Sequence, residues 1–107
     1  DSLKIGIVLE ERTSTGLSYA PALAVMGSYP NPFEDFFTVQ FNLFEAGTVY
    51  FKLYDAGGKE IFNRNGHFSR TGLQYFRLSG LETLPSGQYL LEIGTGQQRV
   101  RSKVVKL

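Results

Sequence analysis

The chain has 107 residues, a formal net charge of +1 and a hydrophobic share of 42%, which suits one domain with a single modest core. A charge so close to balance supplies no global field to draw the molecule onto nucleic acid or a membrane surface. With no cysteine, disulfides and thiolate metal sites are excluded, and no run approaches the ~18 apolar residues that a membrane-spanning helix needs.

Nine phenylalanines, six tyrosines and twelve glycines tilt the composition toward strands and turns. At the start, Leu3, Ile5, Ile7 and Leu9 alternate as one face of a strand. Glu10 to Gly16 is polar and reads as a loop, exposed enough to serve as a cleavage segment. Residues 1–28 do not resemble a signal peptide, because Asp1 stands where a basic region belongs and the run Ile5 to Leu9 is short. Any export information is therefore expected elsewhere, or the chain is a piece of something longer. Leu17 to Met26, Ala-rich with Pro21 inside it, fits an edge strand or a short helical turn equally well.

Tyr29-Pro30-Asn31-Pro32 is strong punctuation, since each proline fixes its own φ and biases the residue before it toward extended backbone. Clean alternation follows: Phe37, Val39, Phe41 and Leu43 inward, then Val49, Phe51 and Leu53 inward after a turn at Glu45-Ala46-Gly47. Asp55 to Lys59, with two glycines, reads as a hairpin connection. Lys59 to Asn65 is a weaker strand, with turns expected after Gly66 and after Gly72. Phe76 and Leu78 share a face of the next strand; Leu84 to Gly87 is a tight turn; Tyr89, Leu91 and Ile93 face inward; Arg99 to Leu107 is the last strand. Seven or eight short strands at intervals of about ten residues predict an all-β antiparallel sandwich.

Catalytic motifs are missing from the sequence: there is no Gly-x-Ser-x-Gly elbow, no phosphate-cradling glycine loop and no cysteine nucleophile. His67, the single histidine, cannot build a histidine-rich zinc site and reads as an exposed turn residue. The adjacent acids Glu10-Glu11 and Glu34-Asp35 lie in polar segments with no sign of a cleft. Asn31, Glu34 and Asp35 offer oxygens to a calcium ion, yet the spacing of a calcium loop is absent. Tyr50 and Tyr54 project from one face of a strand, an arrangement suited to stacking on a sugar but equally ordinary for the wet side of a sandwich. Arg99, Arg101 and Lys103 alternate with Val100, Ser102 and Val104. They suit a charged edge that resists aggregation, or a free edge that a partner recognises by adding a strand.

From Tyr29-Pro30-Asn31-Pro32 onward the chain resembles the C-terminal sorting domains of type IX secretion cargo proteins, the Por secretion tail family. The likeness continues through Phe37 to Phe41, Leu53 to Ile61 and Leu84-Pro85-Ser86-Gly87-Gln88-Tyr89-Leu90-Leu91-Glu92-Ile93, and ends on Lys103-Val104-Val105-Lys106. The family's order is kept; Ala56-Gly57-Gly58 departs from it, with glycine where a bulkier residue is commoner. The resemblance implies an immunoglobulin-like sandwich of about seven strands over residues 29–107, with residues 1–28 as a linker or an additional N-terminal strand. It implies a non-catalytic signal, without cofactor or metal, that follows an upstream cargo domain and is read in transit through the periplasm. The implied readers are the outer-membrane type IX translocon and, in many cargoes, a cysteine-peptidase sortase that removes the domain and joins the cargo to lipopolysaccharide at the cell surface. The implied recognition residues are Gly87, Tyr89, Lys103, Val104, Val105 and Lys106. A carbohydrate-binding or spacer module of an extracellular protein is the rival expectation.

Overall fold

Alternation of apolar and polar side chains forces each strand to bury one face, and two sheets closing on one another satisfy that demand. The computed structural model describes residues 9–12 and 21–107, and every regular element in them is a strand: β1 (Leu9–Arg12), β2 (Leu23–Tyr29), β3 (Phe36–Leu43), β4 (Gly47–Tyr54), β5 (Glu60–Phe68), β6 (Gly72–Ser79), β7 (Gly87–Gly94) and β8 (Gln98–Lys106). They form a five-stranded sheet in the order β1-β8-β7-β4-β5 and a three-stranded sheet in the order β2-β3-β6. All neighbouring strands are antiparallel. This is an immunoglobulin-like sandwich, as the sequence predicts.

The inward phases of β3, β4 and β7 are those expected, with Phe37, Val39, Phe41, Leu43, Val49, Phe51, Leu53, Leu91 and Ile93 fully buried and Tyr89 nearly so. Phenylalanines join the two sheets. The rings of Phe51 and Phe76 stack with centroids 4.1 Å apart, and Phe68 meets Phe41 edge-on at 5.3 Å. The edge-on contact adds to burial because the positive edge of one ring meets the negative face of the other. A third pair, Phe33 and Phe37 at 4.9 Å, lies in the core next to the Pro-Asn-Pro segment.

Two sequence expectations are corrected here, and one that was open between two forms is resolved. Residues 10–12 do not belong to a loop but to β1, which pairs with β8 from Leu9↔Arg101 to Arg12↔Gln98; their main-chain groups are satisfied by a neighbouring strand despite their polarity. Residues 1–8 and 13–20, with the rest of the expected first strand, the proposed cleavage segment and the start of the Leu17 to Met26 stretch, lie outside the described residues. That stretch is described from Pro21, and from Leu23 it is the edge strand β2, the first of the two forms the sequence allowed. Gly66 and His67 do not turn the chain. Both lie inside β5, Gly66 opposite Val49 and the exposed His67 opposite Thr48. Glycine is needed there for close approach, since a Cβ at 66 would stand 2.9 Å from the Phe68 ring and 3.0 Å from that of Phe76.

Gln98 ties the two sheets together. Its side chain is buried inside β8, where Oε1 accepts from the N–H groups of Ala22 (2.7 Å) and Leu23 (3.0 Å) and Nε2 donates to the Leu23 carbonyl (3.0 Å). Edge strand β2 is thereby pinned to the opposite sheet by a polar side chain that substitutes for a strand neighbour.

Candidate functional site

The six residues implied as recognition determinants meet on β7 and β8, whose register pairs Gly87 with Lys106 and Tyr89 with Val104. Their surroundings differ. Gly87 opens β7 at φ +148°, a conformation that side chains rarely adopt. Tyr89 points into the core, and its hydroxyl donates to the Pro85 carbonyl at 2.6 Å, drawing the preceding turn onto the sheet. Val104 is fully buried. Lys106 lies on the same side of β8, only 8% exposed, with Nζ donating to the Leu107 carbonyl at 3.1 Å. Lys103 is exposed on the opposite, outward side, and Val105 is half-buried beside it.

The outward side of the five-stranded sheet carries the polar chemistry. Register places Tyr50, Gly94 and Arg99 in one row, Lys52, Glu92 and Arg101 in the next, and Tyr54, Leu90 and Lys103 in the third. Glu92 is buried although it faces outward, because its neighbours close over it: Tyr50 donates to Oε2 at 2.9 Å and Arg101 Nε to Oε1 at 2.8 Å. Burial by itself would raise the Glu92 carboxyl's pKa. The hydrogen bonds from Arg101 and Tyr50 and the charges of Arg101 and Arg99 outweigh that, and the group is held below its ordinary value of 4.5. Tyr50 moves the other way. Burial first, and then the hydrogen bond to Glu92, push its hydroxyl up to about 12. Its ring lies flat across Gly94, where a Cβ would come within 2.5 Å of Cζ, and the Lys52 ammonium stands 5.1 Å from the ring centroid. The expected pair Tyr50 and Tyr54 do share a face, but Tyr50 is committed to Glu92 and to the sheet surface.

Beside this cluster an open groove of about 490 Å³ runs along the third row, lined by Tyr54, Gln88, Leu90, Arg101 and Lys103 and bounded by the β4–β5 turn. That turn is held by Asp55, whose Oδ1 accepts from the N–H groups of Gly57 and Lys59, both at 2.9 Å. Asn31, weighed in the sequence as a calcium ligand with Glu34 and Asp35, has its side-chain oxygen engaged by the Val105 N–H at 2.9 Å. Among the described residues, no group of three or more His, Cys, Asp or Glu side chains is placed to hold a metal ion.

The expected free edge on the last strand is corrected by the topology. β8 lies between β7 and β1, and its final residues are flanked by Asn31 and Phe33. Glu92, Gln98, Gly94 and Asn31 were not seen in these roles from the sequence. Only Asn31 carried a cue, its place between two prolines.

A small all-β fold of two packed antiparallel sheets, with a charged, grooved outer face around the Glu92–Arg101 ion pair, belongs to the class of immunoglobulin-like sandwich domains. More narrowly, the model of the secretion system C-terminal sorting domain matches residues 28–107, and the chain belongs to that family. Membership makes it a type IX secretion sorting signal and implies export across the outer membrane to the cell surface or beyond. Domains of this family are non-catalytic in general. Comparison with curated protein sequences gives no significant match.

Proposed function

We propose that the secretion machinery reads this domain from the outward face of β8 and its neighbours, with Lys103 as the principal contact and Arg101, Tyr54 and Gln88 as its rim. The observation that carries this reading is the division of labour among the six determinants. Lys103 alone of them offers an exposed charged side chain, while Gly87, Tyr89, Val104 and Lys106 are placed to shape and hold the strand pair beneath it. A lysine beside an arginine attracts a carboxylate-bearing partner, and a rim charge of this kind acts chiefly on the rate of encounter.

In this reading an upstream cargo domain passes through the periplasm with the folded sandwich as its address, and the translocon docks on the sheet face. Removal by a cysteine-peptidase sortase, with transfer of the cargo to lipopolysaccharide, follows export. The test is a fusion of the 107-residue chain to the C-terminus of a reporter bearing a periplasmic export signal, expressed in a type IX-competent cell. The reporter is expected outside the cell, and retention of the folded fusion in the periplasm would reject the reading.

A further inference from the structure

We infer that the segment Pro30-Asn31-Pro32-Phe33 is a surrogate strand that closes the outer edge of β8 and keeps it from pairing with other chains. Residues 99 and 101 of β8 face β1. Beyond them, in the alternation of an antiparallel ladder, residues 103, 105 and 107 turn their main-chain groups away from β7. Four of these groups find partners in the segment. The Val105 N–H donates to Asn31 Oδ1 (2.9 Å), Asn31 Nδ2 donates to the Lys103 carbonyl (3.4 Å), the Phe33 N–H donates to the Val105 carbonyl (2.8 Å), and the Leu107 N–H donates to the Phe33 carbonyl (2.9 Å).

The residue order explains why this works. Asn31 meets β8 through its side chain and Phe33 through its main chain, while the prolines at 30 and 32, which lack an N–H, add no main-chain donor of their own to be satisfied. The fully buried Phe33 ring, packed on Phe37, anchors the segment in the core. Asn31 covers with its side chain what a strand would cover with its backbone, so the guard ends without offering a new edge of its own. The inference holds whatever reads the domain.

Amide hydrogen exchange on the 107-residue chain tests it, with β3 amides as the monitor of the intact fold. In Asn31→Ala, Val105 should exchange at least tenfold faster than in the native chain while β3 is unchanged. Asn31→Asp, which keeps the acceptor, should restore protection of Val105. Sedimentation should show the alanine variant self-associating with concentration while the aspartate variant stays with the native chain. Should the alanine variant fail to fold, Asn31→Asp decides alone: protected Val105 supports the guard. Unchanged exchange in Asn31→Ala, equally fast exchange in a folded Asn31→Asp, or an alanine variant that remains monomeric would overturn it.

Discussion

Replacing Gln98 by methionine keeps the volume and flexibility of the side chain but removes its polar atoms. The N–H groups of Ala22 and Leu23 and the Leu23 carbonyl then lose the partner that all three share. An unsatisfied buried group costs about 1–3 kcal/mol. Because both N–H groups use the same oxygen, the lower part of that range applies to each, and the sum is about 3–5 kcal/mol. A domain of this size has only about 5–15 kcal/mol in all, so the melting midpoint should fall by about 12–20 °C at some 4 °C per kcal/mol. Urea unfolding followed by circular dichroism measures the loss, and an unchanged denaturant slope would show that the unfolded state is not the cause. Gln74→Met is the control. Its side chain also donates to a carbonyl, that of Arg70 at 3.0 Å, but in an exposed setting, so the change should stay within about 0.5 kcal/mol. A loss below about 1 kcal/mol in Gln98→Met would refute the claim that this side chain pins β2 to the opposite sheet.

The remaining predictions concern the charged face and the close contacts. Because the Glu92 pKa is lowered on folding, its contribution is present above pH 4.5 and is lost as the pH falls through the folded value; Glu92→Gln should flatten that acid limb of the stability profile. The raised Tyr50 hydroxyl contributes below pH 10, and the contribution disappears as the pH climbs through about 12, so Tyr50→Phe should remove the alkaline fall seen in stability between those values. Tyr89→Phe should cost about 1 kcal/mol in urea unfolding through loss of its bond to Pro85. Gly66→Ala, which drives a methyl into the rings of Phe68 and Phe76, should destabilise by about 1–3 kcal/mol, with perturbed ring resonances for both phenylalanines in NMR spectra.

The parts of the fold legible in the sequence are those where a local rule and the tertiary environment agree. Strands β3 and β4 each have one dry and one wet face, so Phe37 to Leu43 and Val49 to Leu53 announce their inward phase. Strand β5 is an edge, its side chains are mostly exposed or half-buried, and its alternation is correspondingly faint. Gly66 misled because glycine serves both turns and close approach; the rings that decide between the two come from Phe68 two residues on and from Phe76 on the other sheet. Gln98 and Glu92 were hidden for a related reason. A polar residue in a strand is expected to face water, and only partners 75 or 76 residues away, or across a strand pair, make burial of these two tolerable. The residues expected to carry recognition were named through a family likeness, but their division into one exposed lysine and five half-buried or buried neighbours needed the structure of β7 and β8.

Charge reversal at one exposed position gives the most direct test of how the signal is read. Lys103→Glu should leave the unfolding curve of the domain within about 0.5 kcal/mol of the native one, as surface changes do, yet strand a fused reporter inside the cell. Export of the folded Lys103→Glu fusion at the native rate would contradict the assignment of this sheet face as the address.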